Sequence, residues 1–282
     1  MLNNLELWLE EETKSSKDFY IQLKKTKKFN LDIFGTTHSD PAHFIPELIQ
    51  NADDKNANEA YFNFDTQKSI INFGHNGKNF SKNDILNIVS FGHTEKSTKI
   101  DKIGKFGTGF KSVYKVCDKP EIACKLEGEN NQSTFIKFAI ENKIIPVRQN
   151  NININSTKEF QSFATNFFFK LKNAEILTRE NFITFIKTNG SKILLFLPNI
   201  RKLIFKIDDQ KFSFRRHDED KRDNLKICTI YVDDNSNKEK LNYYRFSKKI
   251  DLKGYEGESE LVIAYCFDDK KFIIEKNKCL NV

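Results

Sequence analysis

The sequence has no C-x-x-C pair, and none of its five cysteines has a histidine at metal-ligand spacing. That excludes the common zinc frameworks and the thioredoxin-type redox motif. The odd count (Cys117, Cys124, Cys228, Cys266, Cys279) speaks against a disulfide scaffold and predicts reduced thiols in the cytoplasm. No apolar run approaches the ~20 residues of a membrane span, so no membrane partner is expected. The opening stretch, MLNNLELWLEEETKSSKDF, is acidic where a signal peptide would be basic and then apolar. G-x-S-x-G and H-E-x-x-H are both missing, and the five histidines are scattered. Serine-hydrolase and zinc-protease chemistry therefore have no support. There is no internal repeat and no low-complexity tract.

What is present suits a globular chain. Its 282 residues, 38% hydrophobic and 13% aromatic, suffice for a buried core and predict one or two domains. The net charge of +7 is mild, because basic and acidic residues are interleaved. A solvated surface accounts for it, and nucleic acid stays open as a partner.

Residues 4–27 read as a helix with Leu5, Trp8 and Leu9 on one stripe. SDPAHFIPELIQNADD predicts a helix from Pro41 or Pro46 to Asp54, capped by Ser39 or Asp40. EAYFNFD (59–65) and SIINFGHN (69–76) alternate as paired strands. Ser81 and Asp84 form a capping-box variant ahead of a helix with Ile85, Ile88 and Val89 buried. Residues 92–105 read as a polar loop, followed by a helix carrying Phe110, Val113, Tyr114 and Val116. Strands are predicted at 133–140 and 162–171, a helix around 178–188, and a strand at KILLFLP (192–198). LIFKI, KFSFR, LKICTIYV, YYRFS, ELVIAYCF and KFIIEK continue as short strands. Helices come first and strands later, an α+β pattern with a sheet covered on one face. The boundary falls near Gly190, giving a domain at 1–190 and a β-rich extension at 191–282.

GKFGTGFKS (104–112) resists the familiar phosphate loops. Gly104 and Gly109 have Walker A spacing, but Phe110 separates Gly109 from Lys111, and Ser112 breaks the dinucleotide fingerprint. In ELIQNADD, Glu47, Asn51 and Asp54 share one helical face while Leu48, Ile49 and Ala52 point elsewhere. Such a stripe is either a solvated face or the wall of a polar cleft. Glycines admit phosphate close to the backbone, an amide oxygen can complete a Mg²⁺ shell, and a carboxylate can activate water. In this order the three make sense as an ATP–Mg²⁺ site.

ELIQNADD, then HNG, then IGKFGTGFKS resembles the GHKL ATPases, closest in wording to their sacsin- and Hsp90-like members, with some likeness to MORC ATPases. The resemblance covers roughly residues 30–200. It implies a Bergerat fold, a two-layer α/β sandwich with a mixed sheet, and slow hydrolysis of Mg-ATP coupled to lid closure. Glu47 would be the general base, Asn51 the Mg²⁺ ligand and Asp54 a nucleoside contact. Gly104, Phe106, Gly107, Thr108, Gly109 and Phe110 would form the phosphate cradle, with the helix opening at about Thr108. Lys111 would join it or else be a surface lysine. Residues 92–103 would be the lid, with Lys96 reaching the phosphates, or a plain polar loop. Thr165 would hold adenine, or be a plain strand residue. The second box departs from the family's D-x-G-x-G: it reads His75, Asn76, Gly77, and either His75 or the Asn76 amide oxygen would take the adenine amino bond. An ATP-dependent homodimer, a client protein or a downstream domain would be partners, and the chain would be part of a longer protein. The rival readings are a nucleotide-gated scaffold without turnover and a MORC-like nucleic-acid clamp.

Overall fold

Local chemistry sets the first helices. In the computed structural model, which describes residues 3–26, 31, 40–90, 109–128, 133–150, 160, 162–222, 224–251, 258–268 and 271–272, α1 runs Asn4–Thr26. The Asn3 side chain accepts hydrogen bonds from the Leu5 and Glu6 amides at its start. Asp40 then caps a short 3-10 turn, Pro41–His43, through the Ala42 amide. That turn passes directly into α2, Phe44–Asp54. The handover explains how Pro46 is tolerated, since it lies in the first α-turn, where backbone donors lack helical partners anyway. Ser81 and Asp84 complete a reciprocal capping box at the head of α3, Lys82–Val89. A fourth helix, α4, spans Arg179–Phe196 behind the Thr178 cap.

Among the described residues, twelve strands form one mixed sheet in the order β12-β11-β10-β9-β8-β7-β1-β2-β6-β3-β4-β5. They are β1 Glu59–Asp65, β2 Ile70–His75, β3 Glu121–Glu127, β4 Ser133–Glu141, β5 Ile145–Arg148 and β6 Thr165–Lys170. The later ones are β7 Lys202–Ile207, β8 Gln210–Arg222, β9 Leu225–Asp233, β10 Lys238–Asp251, β11 Glu258–Asp268 and β12 Lys271–Phe272. Every named pairing is antiparallel except β1 with β7. That parallel pair requires a long crossover, which includes α4 and β2–β6. The fold is thus α+β, as the order of elements predicts.

Three strand assignments need correction. KILLFLP does not form a strand, because residues 192–196 are the last turns of α4. A short apolar run looks the same in a buried helix and a buried strand. β3 and β5 went unrecognised, their apolar residues being few and bounded by charge. The boundary expected near Gly190 falls inside α4, and the sheet runs on across it through β7 and β8.

The main core lies between the helices and one sheet face. Phe62 stacks on Phe205 at 5.1 Å and tilts against Phe73 at 4.5 Å. Two buried arginines tie the late strands to α4. Arg216 donates to the carbonyls of Leu194 and Leu197, and Arg245 donates to that of Leu195. These satisfy the last carbonyls of the helix with cations, the favourable charge at a C-terminus. No described helix is long and apolar enough to cross a membrane.

Candidate functional site

α2 buries Phe44, Ile45, Leu48, Ile49 and Ala52 in the core. That leaves His43, Glu47, Asn51 and Asp54 along a half-buried stripe. The stripe is thus neither fully solvated nor part of the core. The His43 Nε2 lies 3.5 Å from Glu47 Oε1, one helical turn away. The H-F-I-P-E spacing is the signal in the sequence for this pair, which none of the motif boxes contains.

Gly109 faces this stripe. A methyl group built on its Cα would overlap Glu47 Oε2. Its backbone is ordinary right-handed helix, φ −55°. The glycine therefore admits the close approach of the carboxylate and is not held in an unusual conformation. The expected helix after the glycines is a 3-10 helix, Phe110–Lys115, packed against α2. At six residues it is shorter than the helix expected there and carries little dipole. Phe110 is buried, 5.9 Å from Phe167 of β6. Phe44 of α2 stands 5.9 Å from Phe169 of the same strand. α2 and the 3-10 helix thus cover one face of β6.

Thr165 lies on that face and begins β6. Its cross-strand neighbours are His75 on β2 and Cys124 on β3. The Thr165 side chain is fully buried, and its Oγ1 has no hydrogen-bond partner among the described residues. An orphaned buried hydroxyl is costly unless something else meets it. Cys124, which lies in no motif box, is buried beside Thr165, and burial raises its thiol well above the usual range.

The second box joins the same site through the end of α2. The Lys55 carbonyl accepts from the Lys78 amide at 2.8 Å, and a Cβ on Gly77 would lie 2.8 Å from that oxygen. Gly77 is thus required for close approach, since the atom a Cβ would meet is main chain. Lys55 itself pairs with Asp84. Burial would raise the Asp84 carboxyl, but the Lys55 ammonium and the Ser81 bonds outweigh it and hold it below its ordinary value. Burial, and then the Lys55 charge, push the His75 pKa down to about 3. Its Nδ1 accepts the Gly77 amide at 3.2 Å, so the neutral ring carries its proton on Nε2. His75 is then a donor on its free side and cannot accept the adenine amino bond. Asn76 cannot either. Its Oδ1 accepts from the Asn58 and Glu59 amides at 3.0 Å each, which fills both lone pairs. Both suggestions for that bond are corrected, because local backbone donors claim the acceptor atoms first.

Lys111 is also placed differently from either reading offered for it. It is buried, with its ammonium donating to the carbonyls of Ile88 and Lys143. Burial brings its pKa down to about 7. Asp53, next to the stripe, is structural: it accepts from the Asn199 and Ile200 amides. Lys96, Gly104, Phe106, Gly107 and Thr108, with the whole of 92–103, lie outside the described residues.

A family model described as the Sacsin domain matches residues 32–176. The Homo sapiens protein Sacsin is 39% identical over 93 residues, covering 27% of this chain and 2% of that protein. Protein NO VEIN of Arabidopsis thaliana is 40% identical over 88 residues, covering 30% of this chain and 3% of that protein. The chain thus spans a few per cent of the length of either relative.

Proposed function

The chain belongs to the Sacsin domain family, and from that premise we propose that it is a nucleotide-binding module of the GHKL type, built on a Bergerat fold, that binds Mg-ATP and hydrolyses it slowly. One observation carries the reading: Glu47 of α2 packs directly on Gly109, although a long stretch of chain separates them. A general base and the last glycine of the cradle therefore share one wall.

The residues fit the ligand in three respects. Gly109, having no side chain, lets the Glu47 carboxylate come up against the glycine backbone. Thr165 offers a buried hydroxyl in need of a partner. Asn51 follows Glu47 by one turn on the same half-buried stripe. Asn51 would hold Mg²⁺, which when bound neutralises phosphate charge. Glu47, steadied by His43, takes a proton from the attacking water. Thr165 and the Nε2 proton of His75 orient the base from the floor. With no acceptor left at the second box for an adenine amino group, discrimination against other purines rests on other contacts and is weak. Lid closure by 92–103 and an ATP-dependent contact with a second copy or a following domain belong to the same proposal. Coupling of that kind requires ATP to favour one conformation over the other.

Glu47→Ala tests the role of the base. Hydrolysis should fall about 100-fold or more while ATP affinity changes little. If the wild type binds ATP but never turns it over, the module is a nucleotide-gated scaffold. If the variant hydrolyses like wild type, Glu47 is not the base.

A further inference from the structure

The sheet face opposite the helices carries a second surface, independent of the α2 site. On β8, Phe212, Phe214 and Arg216 point into the core, so Lys211, Ser213, Arg215 and His217 point the other way. Cross-strand registers arrange this outer face in rows. Arg215, Tyr231 and Lys240 form one row across β8, β9 and β10. Ser213, Asp233 and Lys238 form the next. In the other direction, beyond the row of His217, Thr229, Asn242 and Phe267, come Glu219, Ile227, Tyr244 and Tyr265, then Leu225, Phe246 and Ile263. Cations therefore gather towards one end of the face and rings towards the other, with Tyr231 among the cations and Glu219 on the ring side.

We propose that this face binds single-stranded nucleic acid. The cationic end is a groove of about 710 Å³ whose walls include Lys211, Arg215, Tyr231 and Lys238, together with the carboxylates of Asp233 and Glu239. Lys211, Arg215, Lys238 and Lys240 form no ion pair among the described residues. Their charge is available to phosphates. The ring end is solvent-facing: Tyr231, Phe246 and Tyr265 are 48%, 41% and 51% exposed. Phe246 meets Tyr265 edge-on at 6.4 Å, and Tyr244 stacks on Phe267 at 4.2 Å. Contiguous exposed rings on one sheet face mark a binding surface. Rings beside cations suit unpaired bases, since every base has a face to stack while its phosphate seeks positive charge. A duplex hides its base faces from such rings, and an acidic peptide would use the lysines but leave the rings idle.

Fluorescence anisotropy on the full chain tests this, using labelled poly(dT) of about 20 nucleotides from about 25 to 200 mM KCl. Comparison probes are poly(U), a duplex of equal length and labelled polyglutamate. Poly(dT) or poly(U) should bind more tightly than the duplex or polyglutamate. Four phosphates neutralised by the four cations give a log–log salt slope of about −3, and Arg215→Ala should reduce it by about 0.7. Tyr231→Ala and Tyr265→Ala should each weaken binding about tenfold at unchanged slope. The pair Lys211→Glu/Arg215→Glu should abolish binding, while Lys14→Glu/Lys17→Glu on α1, equal in net charge, should not; melting curves confirm that each variant is folded. The proposal is overturned if no strand binds at the lowest salt. It is equally overturned if polyglutamate or duplex binds as well, if the two charge-reversal pairs act alike, or if both ring variants bind normally. None of these results bears on ATP binding at α2.

Discussion

Burial keeps His75 neutral, and that neutrality links stability to pH. The unfolded histidine has a pKa near 6.5, against about 3 in the fold. Above pH 6.5 neither state binds the proton and the contribution is fully present. As pH falls below 6.5 the unfolded chain takes up a proton that the folded ring refuses, so stability declines towards pH 3. The slope approaches ~1.4 kcal/mol per pH unit, or ~2 kcal/mol lost by pH 5. His75→Gln should remove about that much of the difference in urea stability between pH 7 and pH 5. An undiminished difference would mean that His75 is not the group responsible. At this scale the motif spelling reveals residue types but not their partners. Glu47 and Gly109 are legible as members of two boxes. Nothing in HNG shows that the Asn76 amide closes on Asn58 and Glu59, and nothing in GFKS shows that Lys111 is drawn onto main-chain carbonyls. Those choices depend on segments far along the chain.

α4 illustrates competition within an element. Gly190 sits in its interior, where alanine would ordinarily gain about 1 kcal/mol of helix propensity. Here a Cβ would lie 2.5 Å from Phe214 Cζ and 2.7 Å from Cε2, and that ring is almost fully buried. Overpacking costs typically 1–3 kcal/mol, and on a ring that cannot retreat the upper part applies. Gly190→Ala should therefore destabilise the protein by about 1–2 kcal/mol net, read by urea denaturation; stabilisation would mean that the ring yields. Capping chemistry made the helix starts readable, as Ser81 and Asp84 show. The end of α4 was not readable, because ILLF supplies no periodicity and the arginines that satisfy its last carbonyls come from β8 and β10.

At the scale of the molecule, the helical site and the late strands share one sheet. β1, which follows α2, has β7 as its second neighbour. Phe205 of β7 stacks on Phe62 of β1 at the centre of the core. A chain ended at Gly190 would cut α4 in mid-helix, expose that edge of β1 and remove Phe205. Such a fragment should give no cooperative thermal transition, whereas a sharp transition would show that residues up to 190 fold alone. The α+β character was legible from the order of helical and alternating segments. The single continuous sheet was not, since the β1–β7 pairing joins strands that no local pattern relates. The central claim is that α2 and the glycine turn enclose one magnesium triphosphate. Titration calorimetry of Mg-ATP into the wild type and Asn51→Ala tests it most directly. Saturable binding by the wild type is expected, weakening at least tenfold in the variant and on removal of Mg²⁺. Absence of binding heat from the wild type with ATP, ADP and a non-hydrolysable analogue alike would contradict it.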